Sequence, residues 1–264
     1  MKKFWGFLLV IVLMTSCGEY QSLLKSNDYN LVYKKAIEYY NKGDYQRAMN
    51  LLDGVRSVFV GQAKAQNIAY YRAFCSYNMK DYQIASDLFK QFIQTYPESS
   101  FAEECLYMMG FCDYKASPKP RLDQQVTEKA IREFQLYLSR YPYSMRKDKV
   151  NTYMDEMRDK LSYKAYLSAK NYYLREHYKA AVISLQNCLK DYPGSKYREE
   201  IMYMLFVSKY QMAVNSVEDK KVERYNNARE EYYYFADEYP NSRYAADVKK
   251  MYEDIEAYLE NYKF

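Results

Sequence analysis

Glycine and proline are scarce in this chain, at seven and six of 264 residues. An all-β fold calls for turn residues at roughly every 8–12 positions, so the scarcity excludes a typical sandwich or barrel. The glycines are scattered and form no Gly-rich phosphate-binding loop. Histidine occurs once, as His177. A lone histidine has neither the co-ligands of a metal site nor the partners of a nucleophilic triad. His177 precedes Tyr178 as Asp44 precedes Tyr45 and Asp81 precedes Tyr82, which reads as a turn or helix-cap residue. Charge of one sign is also missing. The 39 basic and 34 acidic residues are interspersed, without the basic stripe that nucleic-acid binding requires. Adjacent carboxylates such as Glu103/Glu104 and Glu230/Glu231 read as solvated helix faces rather than a converging acid–base pair. The chain is expected to be neither an enzyme nor a carrier of any metal or cofactor.

Tyrosine is abundant, with 35 residues in a chain that is 49% hydrophobic. That content is too apolar for a disordered chain. A tyrosine fills core volume while offering a hydroxyl at its tip, which suits a thin fold with many half-buried positions.

The N-terminus combines Lys2 and Lys3 with an apolar run from Phe4 to Met14. Eleven residues fit a signal peptide and fall short of the roughly 20 that a spanning helix needs. The run ends in Leu13-Met14-Thr15-Ser16-Cys17, which resembles a bacterial lipobox, with Met14 where leucine is commoner. That resemblance implies cleavage after Ser16 and lipidation of Cys17 with enough acyl chains for stable anchoring. Residues 1–16 are therefore read as a signal peptide and 17–30 as a lipidated tether. No later segment could span a membrane.

Four cysteines remain, Cys75, Cys105, Cys112 and Cys188. An even set in an exported protein invites a disulfide reading. Cys75 and Cys188, however, fall on small or apolar repeat positions, and Cys105 and Cys112 lie seven apart on one helix, about 10 Å at ~1.5 Å per residue. Buried free thiols are expected.

The chain repeats itself. Ala48, Ala85, Ala130, Ala181 and Ala228 serve as anchors spaced by 37, 45, 51 and 47 residues. Four residues after each comes a large side chain (Leu52, Phe89, Phe134, Leu185, Tyr232), and eleven after, an aromatic (Phe59, Tyr96, Tyr141, Tyr192, Tyr239). Pro97, Pro142, Pro193 and Pro240 follow at twelve, Val60 being the exception, and Tyr-Pro-x-Ser recurs four times. A preceding helix is marked by a small residue with tyrosine four later: Ala36/Tyr40, Ala73/Tyr77, Gly110/Tyr114 and Ala169/Tyr173. The physical sense is a helix pair in which small residues allow close approach and proline ends the second helix. This is the tetratricopeptide pattern. It predicts an all-α fold, a right-handed superhelix of about five helix pairs.

Two repeats are long. Repeat three carries eight extra residues within a Ser117–Gln125 insertion, and repeat five has an excess between Ser208 and Ala228. With no Gly or Pro between Pro142 and Ala169, a long helix from about Lys147 to Tyr173 should bridge repeats three and four. Residues 31–145 then hold repeats one to three, and 146–264 the bridging helix with repeats four and five. First helices of such repeats line a concave surface that holds peptides. The insertion reads either as a stiff surface loop or as a recognition element beside that groove.

The lipobox, the five repeats, the Tyr-Pro-x-Ser junctions and the Pro120-Arg121-Leu122-Asp123-Gln124 insertion leading into Thr127-Glu128-Lys129-Ala130 together resemble the BamD family, the lipoprotein subunits of the outer-membrane β-barrel assembly machinery. The resemblance covers the whole mature chain. It implies a non-catalytic adaptor in the outer membrane, anchored through Cys17 and facing the periplasm. It implies binding of a BamA-type barrel subunit through repeats four and five, and of the C-terminal signal of unfolded barrel proteins through repeats one to three. On this chain the substrate side would comprise Tyr40, Tyr70, Tyr77, Tyr107 and Tyr114, flanked by Arg121, Asp123 and Gln124. A repeat lipoprotein serving a cell-wall complex, or a glycan-binding lipoprotein, are the rival readings.

Overall fold

All four Tyr-Pro-x-Ser junctions close in one way in the computed structural model, which describes residues 18–262. Tyr96, Tyr141, Tyr192 and Tyr239 are helix C-caps, each N–H donating four residues back. The next residue, proline, has no N–H with which to continue the ladder. Each serine N–H then donates to the tyrosine carbonyl at 3.0–3.2 Å. Its Oγ accepts the N–H two residues on, at 3.0–3.3 Å, inside the turn that leads into the following helix. Ser144 and Ser242 use the same Oγ to donate to Glu103 and Glu199 in the preceding repeat (2.7 and 2.6 Å). In these two corners one hydroxyl therefore braces the turn and ties it to the first helix of the pair that ends there. Ser242→Ala should accordingly cost about 1–2 kcal/mol, measurable as a lower urea midpoint.

Twelve helices and no strand occur among the described residues. They are α1 (18–24), α2 (Tyr29–Asn41), α3 (Tyr45–Val55), α4 (Ala63–Asn78), α5 (Tyr82–Thr95), α6 (Ala102–Ala116), α7 (Gln125–Arg140), α8 (Lys147–Leu174), α9 (Tyr178–Asp191), α10 (Arg198–Val214), α11 (Glu218–Glu238) and α12 (Ala245–Glu260). The contacts cluster into two units. The first comprises Met1–Pro118 and Asp123–Met154; the second comprises Lys119–Leu122 and Asp155–Phe264, so the division falls inside α8.

In the first unit α2/α3, α4/α5 and α6/α7 pair, and α3 and α5 also pack against the next first helix. All five anchor alanines are fully buried. Gly110 shows why the first-helix position must be small: a Cβ there would sit 2.9 Å from Phe134 Cδ1. The second unit joins α8 to α9 through Tyr166, Ala169, Ala181 and Leu185, then stacks α10, α11 and α12. The chain reverses between α2 and α3, α4 and α5, and α8 and α9 through Gly43, Lys80 and Glu176, whose φ values are +80°, +67° and +59°. The N–H of the next residue reaches five residues back in each case, the left-handed helix stop.

Residues 18–30, read from the sequence as a tether, are mostly folded. Tyr20 and Leu23 of α1 are buried in the core with Val32, Leu51 and Val55, and Asp28 caps α2. Apolar residues at a three-residue spacing supply a face that the α2/α3 pair covers. Cys17 lies outside the described residues.

The two insertions differ in kind. Repeat three places its excess in a loop, because Pro118 and Pro120 cannot extend α6. Repeat five places it in helix: α10 and α11 run to 17 and 21 residues with only Asn215–Val217 between them. The bridging helix is α8, at 28 residues. Cys75, Cys105, Cys112 and Cys188 are buried free thiols, and burial pushes Cys75 and Cys105 up to about 12.

Candidate functional site

Helical spacing puts Tyr70, Phe74 and Tyr77 of α4 in one stripe, and Tyr107, Phe111 and Tyr114 of α6 in another. Packing α2, α4 and α6 side by side joins them into a row. Tyr40 meets Tyr71 at 4.9 Å between centroids, Tyr71 meets Tyr70 at 5.5 Å, and Tyr70 meets Phe74 at 4.6 Å. Tyr77 then meets Phe111 at 6.2 Å, which stacks on both Tyr107 (5.7 Å) and Tyr114 (5.9 Å). Tyr153 of α8 closes the row against Tyr114 at 4.5 Å.

Tyr40, Tyr70, Tyr77 and Tyr114 are half-buried, so each packs against its neighbour while keeping part of its ring open. Tyr107 is buried, at 8% exposure, and serves as floor. Gln124 is buried as well; its Oε1 accepts from the Thr127 hydroxyl at 2.7 Å, which spends the side chain on the start of α7. Asp123 is exposed and accepts the Gln125 N–H at 3.0 Å. Arg121 is exposed and lies in the Lys119–Leu122 segment of the second unit, where Lys164 Nζ donates to the Leu122 carbonyl at 2.8 Å.

Cations edge the row. The Arg146 guanidinium lies 4.9 Å from the Tyr107 centroid, Lys115 Nζ 5.7 Å from that of Phe111 and Lys149 Nζ 5.9 Å from that of Tyr153. The Tyr40 and Tyr70 hydroxyls stay protonated. Burial pushes Tyr40 up to about 12, and burial followed by the Glu104 carboxylate holds Tyr70 well above the ordinary tyrosine range. Half-open rings, hydroxyl donors and a basic edge can hold an extended aromatic or apolar segment that carries negative charge. They offer no nucleophile and no base. No group of three or more metal-ligating side chains occurs among the described residues.

Three of the four carboxylates read as solvated faces turn out to be structural, while Glu230 is exposed as read. Glu103 accepts from the Tyr137 and Ser144 hydroxyls (3.0 and 2.7 Å), and Glu104 from Tyr70 (2.8 Å). Glu231 is buried and paired with Lys209. Their partners lie on neighbouring helices, so adjacent-charge spacing gave no sign of them. Of the residues missing from the sequence-derived set, Phe74 and Phe111 were accessible through their spacing from named tyrosines; Tyr153 comes from another helix and was not. The second unit has a separate cleft of about 600 Å³ lined by His177, Tyr178, Ile183, Met212, Asn215 and Arg224, with His177 at the N-cap of α9.

The sequence matches the family described as YfiO, outer membrane lipoprotein, over residues 25–200 and 165–264. The chain belongs to this family. That is the BamD family which the lipobox, repeats and insertion resembled. The family places the chain as a non-catalytic outer-membrane lipoprotein facing the periplasm, with the general role of an adaptor in β-barrel assembly.

Among solved structures, the chain is similar to the TPR2AB-domain:pHSP90 complex of yeast Sti1 at 14% identity, covering 86% of this chain and 98% of that one, with a TM-score of 0.39. It is also similar to a TPR repeats protein from Bacteroides fragilis at 12% identity, covering 88% and 99%, with a TM-score of 0.41. No curated protein matches the sequence.

Proposed function

We propose that the aromatic row of the first unit receives the C-terminal segment of unfolded β-barrel proteins, while repeats four and five hold a BamA-type barrel subunit. The work done is docking and hand-over, with no covalent step. The observation that carries this reading is the continuous row from Tyr40 through Tyr70, Tyr77, Phe111 and Tyr114 to Tyr153, edged by Lys115, Arg146 and Lys149. An aromatic C-terminal strand ending in a carboxylate matches both its rings and its charges. The exposed Asp123, which belongs to the same unit as the row, is assigned to the same task. For the barrel subunit, the open cleft of about 600 Å³ beside His177 and Arg224 offers a recess with room for more than one partner side chain.

Photo-crosslinkers placed at Tyr77 and Asp123 in the lipidated protein test the reading. Captured peptides should be C-termini of barrel proteins, and the barrel subunit should co-purify. Capture of unrelated soluble proteins alone would refute the substrate assignment, and recovery of peptidoglycan enzymes in place of the barrel subunit would move the chain to a cell-wall complex.

A further inference from the structure

Second helices of successive repeats flank the first helix between them: α5 and α7 pack on α6, as α3 and α5 do on α4 and α9 and α11 on α10. Counting from the anchor alanines makes these three places comparable. Five residues after the alanine of the leading helix, and one before and two after that of the following helix, stand Lys90, Lys129 and Arg132 at α5/α7. The same positions hold Asp53, Ile84 and Asp87 at α3/α5, and Gln186, Asn227 and Glu230 at α9/α11. The packing of the repeat therefore does not call for cations there.

These three cations line a cleft of about 360 Å³. The rest of its lining is mostly apolar. Leu106 and Met109 of α6, both buried, form the floor, and Ile93 and Leu136 stand on the flanking helices, with Leu136 53% exposed.

The cations are not equally engaged. Lys129 Nζ lies 2.9 Å from the buried Asp113 and 3.8 Å from the exposed Asp87. Arg132 has only Glu128, at 4.0 Å and with both side chains exposed, a contact that stabilises little. Lys90 forms no ion pair or hydrogen bond among the described residues. Glu133 is the one acid in the lining itself. Burial, and after it Asp113, push that carboxyl up to about 8, so near neutral pH it sets no full negative charge against an incoming anion.

Size narrows the occupant. The lining runs from Lys129 to Leu136 on α7, about 10 Å at ~1.5 Å per residue, and from Lys90 to Gln94 on α5, about 6 Å. A partner helix is about 10–12 Å across and would not enter such a recess. The volume is that of a small-ligand site.

We infer that this cleft binds a small aliphatic carboxylate, its chain lying on Leu106, Met109 and Leu136 and its head group held by Lys90 and Arg132. No residue of the lining belongs to the aromatic row, so the site does not rest on the proposed function.

The test uses the full lipidated protein in isolated outer membranes, labelled with a diazirine-bearing octanoic acid and mapped by mass spectrometry. Label should fall on α5, α6 and α7 around Met109 and Leu136, and octanoate should compete it away. Lys90 and Arg132 are exposed, so Lys90→Glu with Arg132→Glu should leave the thermal midpoint unchanged while cutting the labelling by about tenfold or more. The matching diazirine alcohol, which lacks the charge, should label about tenfold less than the acid. Equal labelling by the alcohol would overturn the inference, as would undiminished labelling of the double variant or label confined to other surfaces. Stronger competition by N-acetyl-Leu-Glu amide than by octanoate would overturn it too, making the cleft a seat for a partner's acidic side chain. Crosslinks from position 77 to barrel C-termini should persist in the double variant; their absence from the unsubstituted protein would sink the proposed function and leave the cleft standing.

Discussion

Phe134→Ala should remove about 3–5 kcal/mol of stability from the first unit, the cost of a large ring cut out of a core that cannot refill. Phe134 is fully buried, stacked on Tyr153 at 5.9 Å and pressed onto the backbone of α6 at Gly110. The measurement is urea unfolding followed by far-UV circular dichroism on the chain from Gly18 onward, and a loss below about 1 kcal/mol would mean that the site collapses freely. The same contact gives a sharper test from the other side. Gly110→Ala improves helix propensity by about 1 kcal/mol, but its methyl lands 2.9 Å from Phe134 Cδ1, and overpacking of that kind costs about 1–3 kcal/mol. The net should be destabilising. Adding Phe134→Leu should recover part of the Gly110→Ala loss, so a double-mutant cycle should return a coupling energy of about 1 kcal/mol or more. Simple additivity would show that the two residues do not press on each other.

Glu133→Gln should stabilise the protein increasingly as the pH rises from about 4.5 to about 8. Glu133 is buried on α7 facing Asp113, with Lys129 Nζ 3.7 Å away and its Oε2 without a hydrogen-bond partner. Lys129 gives its closer contact to Asp113, at 2.9 Å, and Ser86 donates to the same Asp113 oxygen at 2.9 Å. Burial first, and the Asp113 carboxyl second, push Glu133 up to about 8 from an ordinary value of 4.5. The folded chain therefore holds this proton more tightly than the unfolded chain does. Its contribution to stability is fully present below about pH 4.5 and is lost as the pH rises through about 8. A glutamine mimics the protonated acid at every pH. At pH 5 the two proteins should unfold at nearly equal urea concentration. At pH 9 the variant should be more stable by on the order of 1–3 kcal/mol. Stability curves that run parallel from pH 5 to 9 would show that Glu133 titrates like an exposed carboxylate.

The repeat was legible because its causes are local. An alanine, a bulky residue four later and a proline at twelve act within one helix pair, so Ala85, Phe89 and Pro97 announce α5 and its end without reference to anything distant. The loop after α6 was equally plain, since Pro118 and Pro120 cannot be helical in the middle of a segment. Repeat five had no such breaker, so its excess could be counted but not placed; in the structure it lengthens α10 and α11. Within 17–30, read as a lipidated tether, the short helix α1 was not legible for a related reason. Seven residues of α1 contain only Tyr20 and Leu23 as buried positions, too few to mark a helix until α2 and α3 are there to cover them.

What the sequence determined by itself was the kind of fold: paired helices, the long helix from about Lys147 to Tyr173, and where each pair hands over to the next. The tertiary structure decided which polar and aromatic groups remain available. Tyr70 finds Glu104, Tyr137 finds Glu103 and Ser242 finds Glu199 across 34 to 43 residues of chain. It also decided that Tyr107 and Gln124 are enclosed while Tyr77 and Tyr143 are open. The reason is that a side chain's availability depends on what another helix places against it. Helix-forming periodicity is written along one segment, whereas exposure is a property of at least two.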